Sequence, residues 1–97
     1  MKTNERWSTS GKNLLKAILK LRNLHEAEKF FRDLLTKKEI IEISNRWQVA
    51  QMLENNISFN EIRRITGLSP NTITRINRWR KKGAGGYSAL LKKTFLK

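Results

Sequence analysis

"EIRRITGLSPNTITRINRWRKK", residues 61–82, decides how this chain folds and what it meets. Two stretches with helical apolar spacing, Ile62/Ile65 and Ile73/Ile76, stand on either side of one glycine, Gly67. Glycine takes positive φ without a Cβ clash, so the backbone bends there at little cost. A helix-turn-helix requires two helices joined at a wide angle by three or four residues, often including glycine. Gly67 supplies that turn, and Leu68 its apolar residue. Ile73 and Ile76 lie six and nine residues past the glycine, a spacing that lets the second helix lock onto the first. Ser69 then caps the second helix and Pro70 takes its first position, where a missing amide costs nothing. The one departure is Arg63, four residues before the glycine, where a small residue is common.

The same stretch is charged with one sign. It holds seven Lys/Arg against a single acid, Glu61. Of a net charge of +13, residues 60–97 carry +9 (ten Lys/Arg, one acid), and the first 59 residues carry +4. Charge kept only for solubility is expected to spread evenly, and ordinary solvated helices interleave acids with bases at i, i+4. Charge this lopsided favours polyanions, because each neutralised phosphate releases condensed counterions. The C-terminal half is the expected polyanion-facing part.

Length allows one core and not two: 97 residues, 38% of them hydrophobic. Such a lean core suits a domain that completes its burial against a partner chain. With no cysteine, disulfides and thiolate metal sites are excluded. The start, "MKTNERWSTS", lacks an apolar signal segment, and no run approaches the roughly 18 apolar residues of a membrane helix. A cytoplasmic protein with no membrane partner is the expectation.

Outward from the central motif, every segment reads as helix. Residues 1–11 are polar apart from Trp7 and are expected to form a flexible arm, ahead of a single all-helical domain over 12–97. Leu14, Leu15, Ile18, Leu21 and Leu24 follow one helical face. Asn23 caps a second, short helix with acids in its first turn and Phe30, Phe31, Leu34 and Leu35 beyond. "TKKE" at 36–39 has the form of a capping box, opening a helix that buries Ile40, Ile43, Trp47, Ala50 and Leu53. That helix stops at Asn55-Asn56, residues that tolerate left-handed backbone. "SFNE" at 58–61 is a second capping box, placing Ile62 and Ile65 inward and opening the helix-turn-helix over about 58–82. "GAGG" at 83–86 ends the basic helix and a short terminal helix follows. No strand pattern and no internal repeat is present. The fold class is all-α.

In a helix-turn-helix the second helix enters the major groove with its N-terminal residues toward base edges. Here those are Pro70, Asn71, Thr72 and Thr74, with the cap Ser69 beside them in the DNA-binding set. Asn71 can pair with adenine N6/N7, the threonines can donate, accept or pack a methyl on thymine, and Pro70 offers apolar contact alone. Asn60, Arg63, Arg64, Arg75, Arg78, Arg80, Lys81 and Lys82 are expected around them, the cations chiefly as phosphate clamps that position without reading sequence. The expected partner is double-stranded DNA.

"LLTKKEIIEISNRWQVAQML", then "SFNEIRRITGLSPNTITRINRW", then "GAGGY" resembles the tryptophan-repressor superfamily, in particular its YerC/YecD-like branch. The likeness spans roughly residues 14–90, and "LLT..E", "TITR" and "GGY" are its most specific pieces. It implies an intertwined all-helical homodimer, with N-terminal helices of one chain wrapped into the other, binding an operator as a repressor. It also accommodates Arg63, since repressors of this group carry a basic residue there. The family's L-tryptophan site implies a ligand-binding set of Thr36, Arg46 and Arg75, one arginine stacking on the indole and one holding the carboxylate. Two residues depart from it: Ile76 replaces a small glycine and Trp79 a serine, and both occupy volume that an indole needs. L-tryptophan is therefore disfavoured as corepressor, no other cofactor is implied, and the effector stays open.

Other residues take ordinary roles. Trp47 and Trp79 are expected in core or dimer packing. His25, the one histidine, has no second ligand type at metal spacing, so it is expected in solvent and no metal is expected. "GAGG" lacks the spacing of a dinucleotide loop and any preceding strand. With one histidine and no cysteine, no nucleophile–base pair can be assembled, and catalysis is not expected. Two further readings remain: the DNA-binding helix-turn-helix subunit of a transposase or recombination system, and a general nucleic-acid-binding protein. Against single-stranded RNA stands the lack of an aromatic-studded sheet.

Overall fold

The computed structural model describes residues 7–95. They form six helices and no strand: α1 (Thr9–Ile18), α2 (Leu24–Leu34), α3 (Lys37–Glu54), α4 (Phe59–Thr66), α5 (Pro70–Lys82) and α6 (Gly86–Phe95). The chain is all-α, as the apolar spacing requires. It divides into two compact units, Met1–Ile40 and Ile41–Lys97, where length alone led to one domain over 12–97. The division follows burial: α1 and α2 have no buried residue, and among the described residues every buried side chain lies from Val49 onward.

In the first unit, residues 1–6 of the expected arm lie outside the described residues. Helix begins within the stretch read as an arm, because the Ser8 side chain accepts from the Gly11 amide at 3.1 Å and caps α1. Asn23 caps α2 by accepting from the Glu26 amide at 2.9 Å. The Arg22 guanidinium and backbone amide both donate to the Glu26 carboxylate. Phe30 and Phe31 meet edge-to-face with ring centroids 5.4 Å apart. The Thr36–Glu39 capping box is complete and reciprocal: Glu39 N donates to Thr36 Oγ1 (3.1 Å) and Thr36 N to Glu39 Oε1 (2.9 Å).

In the second unit, Val49, Ala50, Leu53, Ile62, Ile73, Ile76 and Leu91 form one buried cluster, with Trp47, Met52, Leu68 and Tyr87 packed against it. Helix α3 ends in a turn where Asn56 takes φ 63°, the left-handed backbone expected of that asparagine. At backbone level α5 packs on α4 and on α6. Trp47 stacks on Tyr87 with centroids 6.3 Å apart and planes 5° from parallel. Burial pushes the Tyr87 hydroxyl above the usual phenol value, and the nearby Arg46 charge pulls it partly back.

Two inward assignments differ. Ile65 is 48% exposed, because α4 is only two turns long and Ile62 at its middle takes the single covered position. Ile43 is exposed although it shares a face with Ala50, seven residues on, because the core covers only the C-terminal half of α3. Of the two places expected for Trp79, the core is excluded in the single chain, where it is 41% exposed, and dimer packing is left.

Candidate nucleic-acid interface

The motif forms as spelled. Gly67 terminates α4 with φ 73° and ψ 4°, its amide donating to the Arg63 carbonyl at 2.8 Å. Only Gly67, Leu68 and Ser69 separate α4 from α5. A residue not singled out in the sequence also holds the turn. The Thr66 hydroxyl donates to the Ile62 carbonyl at 2.8 Å and accepts from the Leu68 amide at 3.2 Å. Threonine readily back-bonds to the carbonyl four residues earlier, and one directly before a helix-ending glycine was the available signal.

Ser69 caps α5 by accepting from the Thr72 amide at 3.2 Å, and Pro70 occupies the first turn. The Ser69 and Thr72 hydroxyls also pair at 3.0 Å, so half-buried Thr72 is partly committed to the cap. At the other helix start the Ser58–Glu61 box is half made. Ser58 Oγ accepts from the Glu61 amide, while the Glu61 carboxylate turns outward to Arg64 instead of back to the cap. That ion pair holds the Glu61 carboxyl below its usual value.

With Ile73 and Ile76 buried, the opposite face of α5 presents Asn71, Thr74, Arg75 and Arg78 to solvent, with Lys81 and Lys82 exposed in its last turn. Arg63, Arg75, Arg78, Lys81 and Lys82 make no ion pair among the described residues. Cations near the C-terminus also suit the helix dipole. An open depression of about 420 Å³ lies at the turn, lined by Asn60, Arg63, Arg64, Gly67, Leu68, Ser69 and Pro70. Sequence-expected residues from two helices are thus brought together around the start of α5.

Arg80 is placed apart from them. Its side chain is 18% exposed, with NH1 donating to Glu54 Oε1 at 2.7 Å and both Nε and NH2 to Asn77 Oδ1. Neither Glu54 nor Asn77 was singled out in the sequence; an acid closing α3, 26 residues from its partner, leaves no local pattern.

Of the residues implied for a ligand, Arg46 borders a depression of about 200 Å³ with Glu42, Asn45, Leu68 and Thr72, and Arg75, Ile76 and Trp79 do not line it. The Thr36 hydroxyl is taken up by the α3 capping box. Among the described residues no group of three or more His, Asp or Glu could hold a metal ion, and no helix is long and apolar enough to cross a membrane. His25 is exposed.

A three-residue turn locked by glycine and threonine, with an exposed basic second helix, defines a DNA-binding regulator of the helix-turn-helix class. Comparison then fixes the family. Residues 9–95 match the family described as Trp repressor protein, and the chain belongs to it. It is 37% identical over 78 residues to the uncharacterised protein YerC of Bacillus subtilis (strain 168), covering 80% of this chain and 75% of that one. Its fold is similar to that of a TrpR-like protein from Eubacterium eligens ATCC 27750, with TM-score 0.85 and 36% identity over 92% of each chain. It is equally similar to a candidate Trp repressor from Staphylococcus aureus, with TM-score 0.86 and 32% identity over 100% of this chain and 97% of that one.

Proposed function

We propose that the protein is a sequence-specific repressor that binds duplex DNA as a homodimer, with α5 lying in the major groove. The observation that carries this reading is the exposed face of α5: two short polar side chains, Asn71 and Thr74, flanked by Arg75 and Arg78, which have no acid partner among the described residues. Short polar groups near a helix N-terminus suit base edges, and cations further along suit phosphates. Arg63 and Asn60 at the turn sit where backbone contacts are expected, and Lys81 and Lys82 extend the positive track.

Dimer binding follows the same logic. Two copies related by a two-fold axis would present their α5 helices to half-sites about one helical turn, roughly 34 Å, apart. Large apolar side chains left uncovered in the single chain, such as Leu19 (83% exposed) and Leu24 (75% exposed), support a partner copy. The cytoplasm is the corresponding location. L-tryptophan is not the expected effector, since Ile76 and Trp79 stand where the family resemblance implies a glycine and a serine, and their side chains take volume that an indole needs.

The test is a band-shift titration over a randomised duplex pool, alongside single-stranded RNA at two salt concentrations. The expected outcome is an enriched site with two-fold symmetry and weaker, salt-sensitive RNA binding. Recovery of no enriched duplex, or tighter RNA binding at both salts, would overturn the reading.

A further inference from the structure

Arg80 belongs by sequence to the basic track of α5, yet among the described residues it is the one cation of that helix bonded to another helix. Its guanidinium spans from α5 to the last residue of α3, bonding Glu54 at 2.7 Å, while Asn77, one turn back, fixes its orientation through contacts of 3.0 and 3.3 Å. Arg80 offsets an unfavourable placement of Glu54. An acid at a helix C-terminus opposes the helix dipole, and α3 has no basic residue in its last turn to offset it.

The two helices also share the buried cluster, Val49, Ala50 and Leu53 of α3 with Ile73 and Ile76 of α5. Apolar contacts resist separation but not rocking. The buried pair Ile73 and Ile76 is the fulcrum: from its midpoint Arg80 lies about 8 Å along the axis and Asn71 about 5 Å the other way, at about 1.5 Å rise per residue. Any freedom at Arg80 therefore reappears, somewhat reduced, at the base-facing end.

We infer that Arg80 is a positioning residue: with Glu54 and Asn77 it forms a strut that sets the angle of α5, and it does not neutralise a phosphate. The inference rests on the DNA-binding reading above. It makes Arg80 differ in kind from its neighbours Arg78 and Lys81. A phosphate clamp weakens all DNAs alike and lowers the salt slope by about one when removed. A strut weakens the preferred site more than other DNA, because a tilted helix misses base edges yet still meets the polyanion.

The experiment compares the wild type with Arg80→Gln, Glu54→Gln, Arg78→Gln, Arg80→Glu and the charge swap Arg80→Glu with Glu54→Arg. Binding to the selected site and to unrelated duplex is measured across salt, well below the melting temperature. Arg80→Gln and Glu54→Gln should each weaken the selected site by about tenfold, the worth of one hydrogen bond to a charged partner. Both should lower the specific-to-nonspecific ratio at unchanged salt slope, and the swap should recover affinity relative to Arg80→Glu alone. Reduced folding would lower both kinds of binding together, so the ratio separates positioning from mere stability. A slope lowered by about one in Arg80→Gln, with Glu54→Gln neutral, would overturn the strut. Should the wild type select no DNA, the repressor reading fails. The strut is then decided by a double-mutant cycle on thermal unfolding, in which zero coupling between positions 54 and 80 rejects it.

Discussion

Gly67 and Gly83 act through different physics. At Gly67 the backbone is left-handed (φ 73°) and a Cβ would meet nothing within 4 Å, so Gly67→Ala should cost only backbone strain. That is about 1–2 kcal/mol, or roughly 5–10 °C of melting temperature in a domain of this size. At Gly83 a Cβ would sit 2.5 Å from the Trp79 carbonyl oxygen, so Gly83→Ala has to move backbone. Circular dichroism through a thermal melt should show the larger loss for Gly83→Ala; the reverse order would contradict these geometries. The exposed carboxyls set an acid limit. Glu26, bonded by Arg22, and Glu61, bonded by Arg64, are both held below their usual 4.5. A carboxyl lowered in the folded state stabilises fully above its unfolded value and loses that contribution as pH falls. Melting temperature should therefore be level from neutrality to about 4.5 and decline below it, and Glu26→Gln with Glu61→Gln should flatten that decline. At this scale much was legible. Gly67, Asn56, Ser69 and Pro70 have roles set by their own backbone chemistry, so their neighbours do not alter the reading. Arg80 has a role set by Glu54, far away in sequence, and periodicity carries no trace of it.

The helices repeat that division between local and distant causes. Starts and stops were readable because caps are local: Asn23, Thr36–Glu39 and Ser69 each bond within three residues of themselves. Coverage was not readable. Spacing places Ile43 and Ile65 on the inner faces of α3 and α4, but whether a face is covered depends on how far neighbouring helices reach. For α5 the division of labour is testable. Arg78→Gln or Lys81→Gln should weaken selected and unrelated duplexes alike and lower the salt slope by about one each. Equal slopes in variant and wild type would remove those two side chains from the phosphate track.

At the level of the whole molecule, seven buried hydrophobic residues are few for the 89 described residues, 7–95. The lean composition pointed to a partner chain, and the exposed leucines and isoleucines of α1, α2 and α3 are the structural form of that shortage. A dimer should sediment at twice 11.4 kDa, with a melting temperature that rises with protein concentration. A concentration-independent melt at monomer mass would leave those side chains without a cover and remove the two-fold binding mode. The account rests most on Asn71 and Thr74 reading bases from the start of α5. The direct measurement is the motif that the wild type and Asn71→Ala each enrich from one randomised duplex pool. The account predicts a two-fold motif for the wild type and, for Asn71→Ala, the same motif with preference lost at one position in each half-site. An identical motif from both proteins, or none from the wild type, would contradict it.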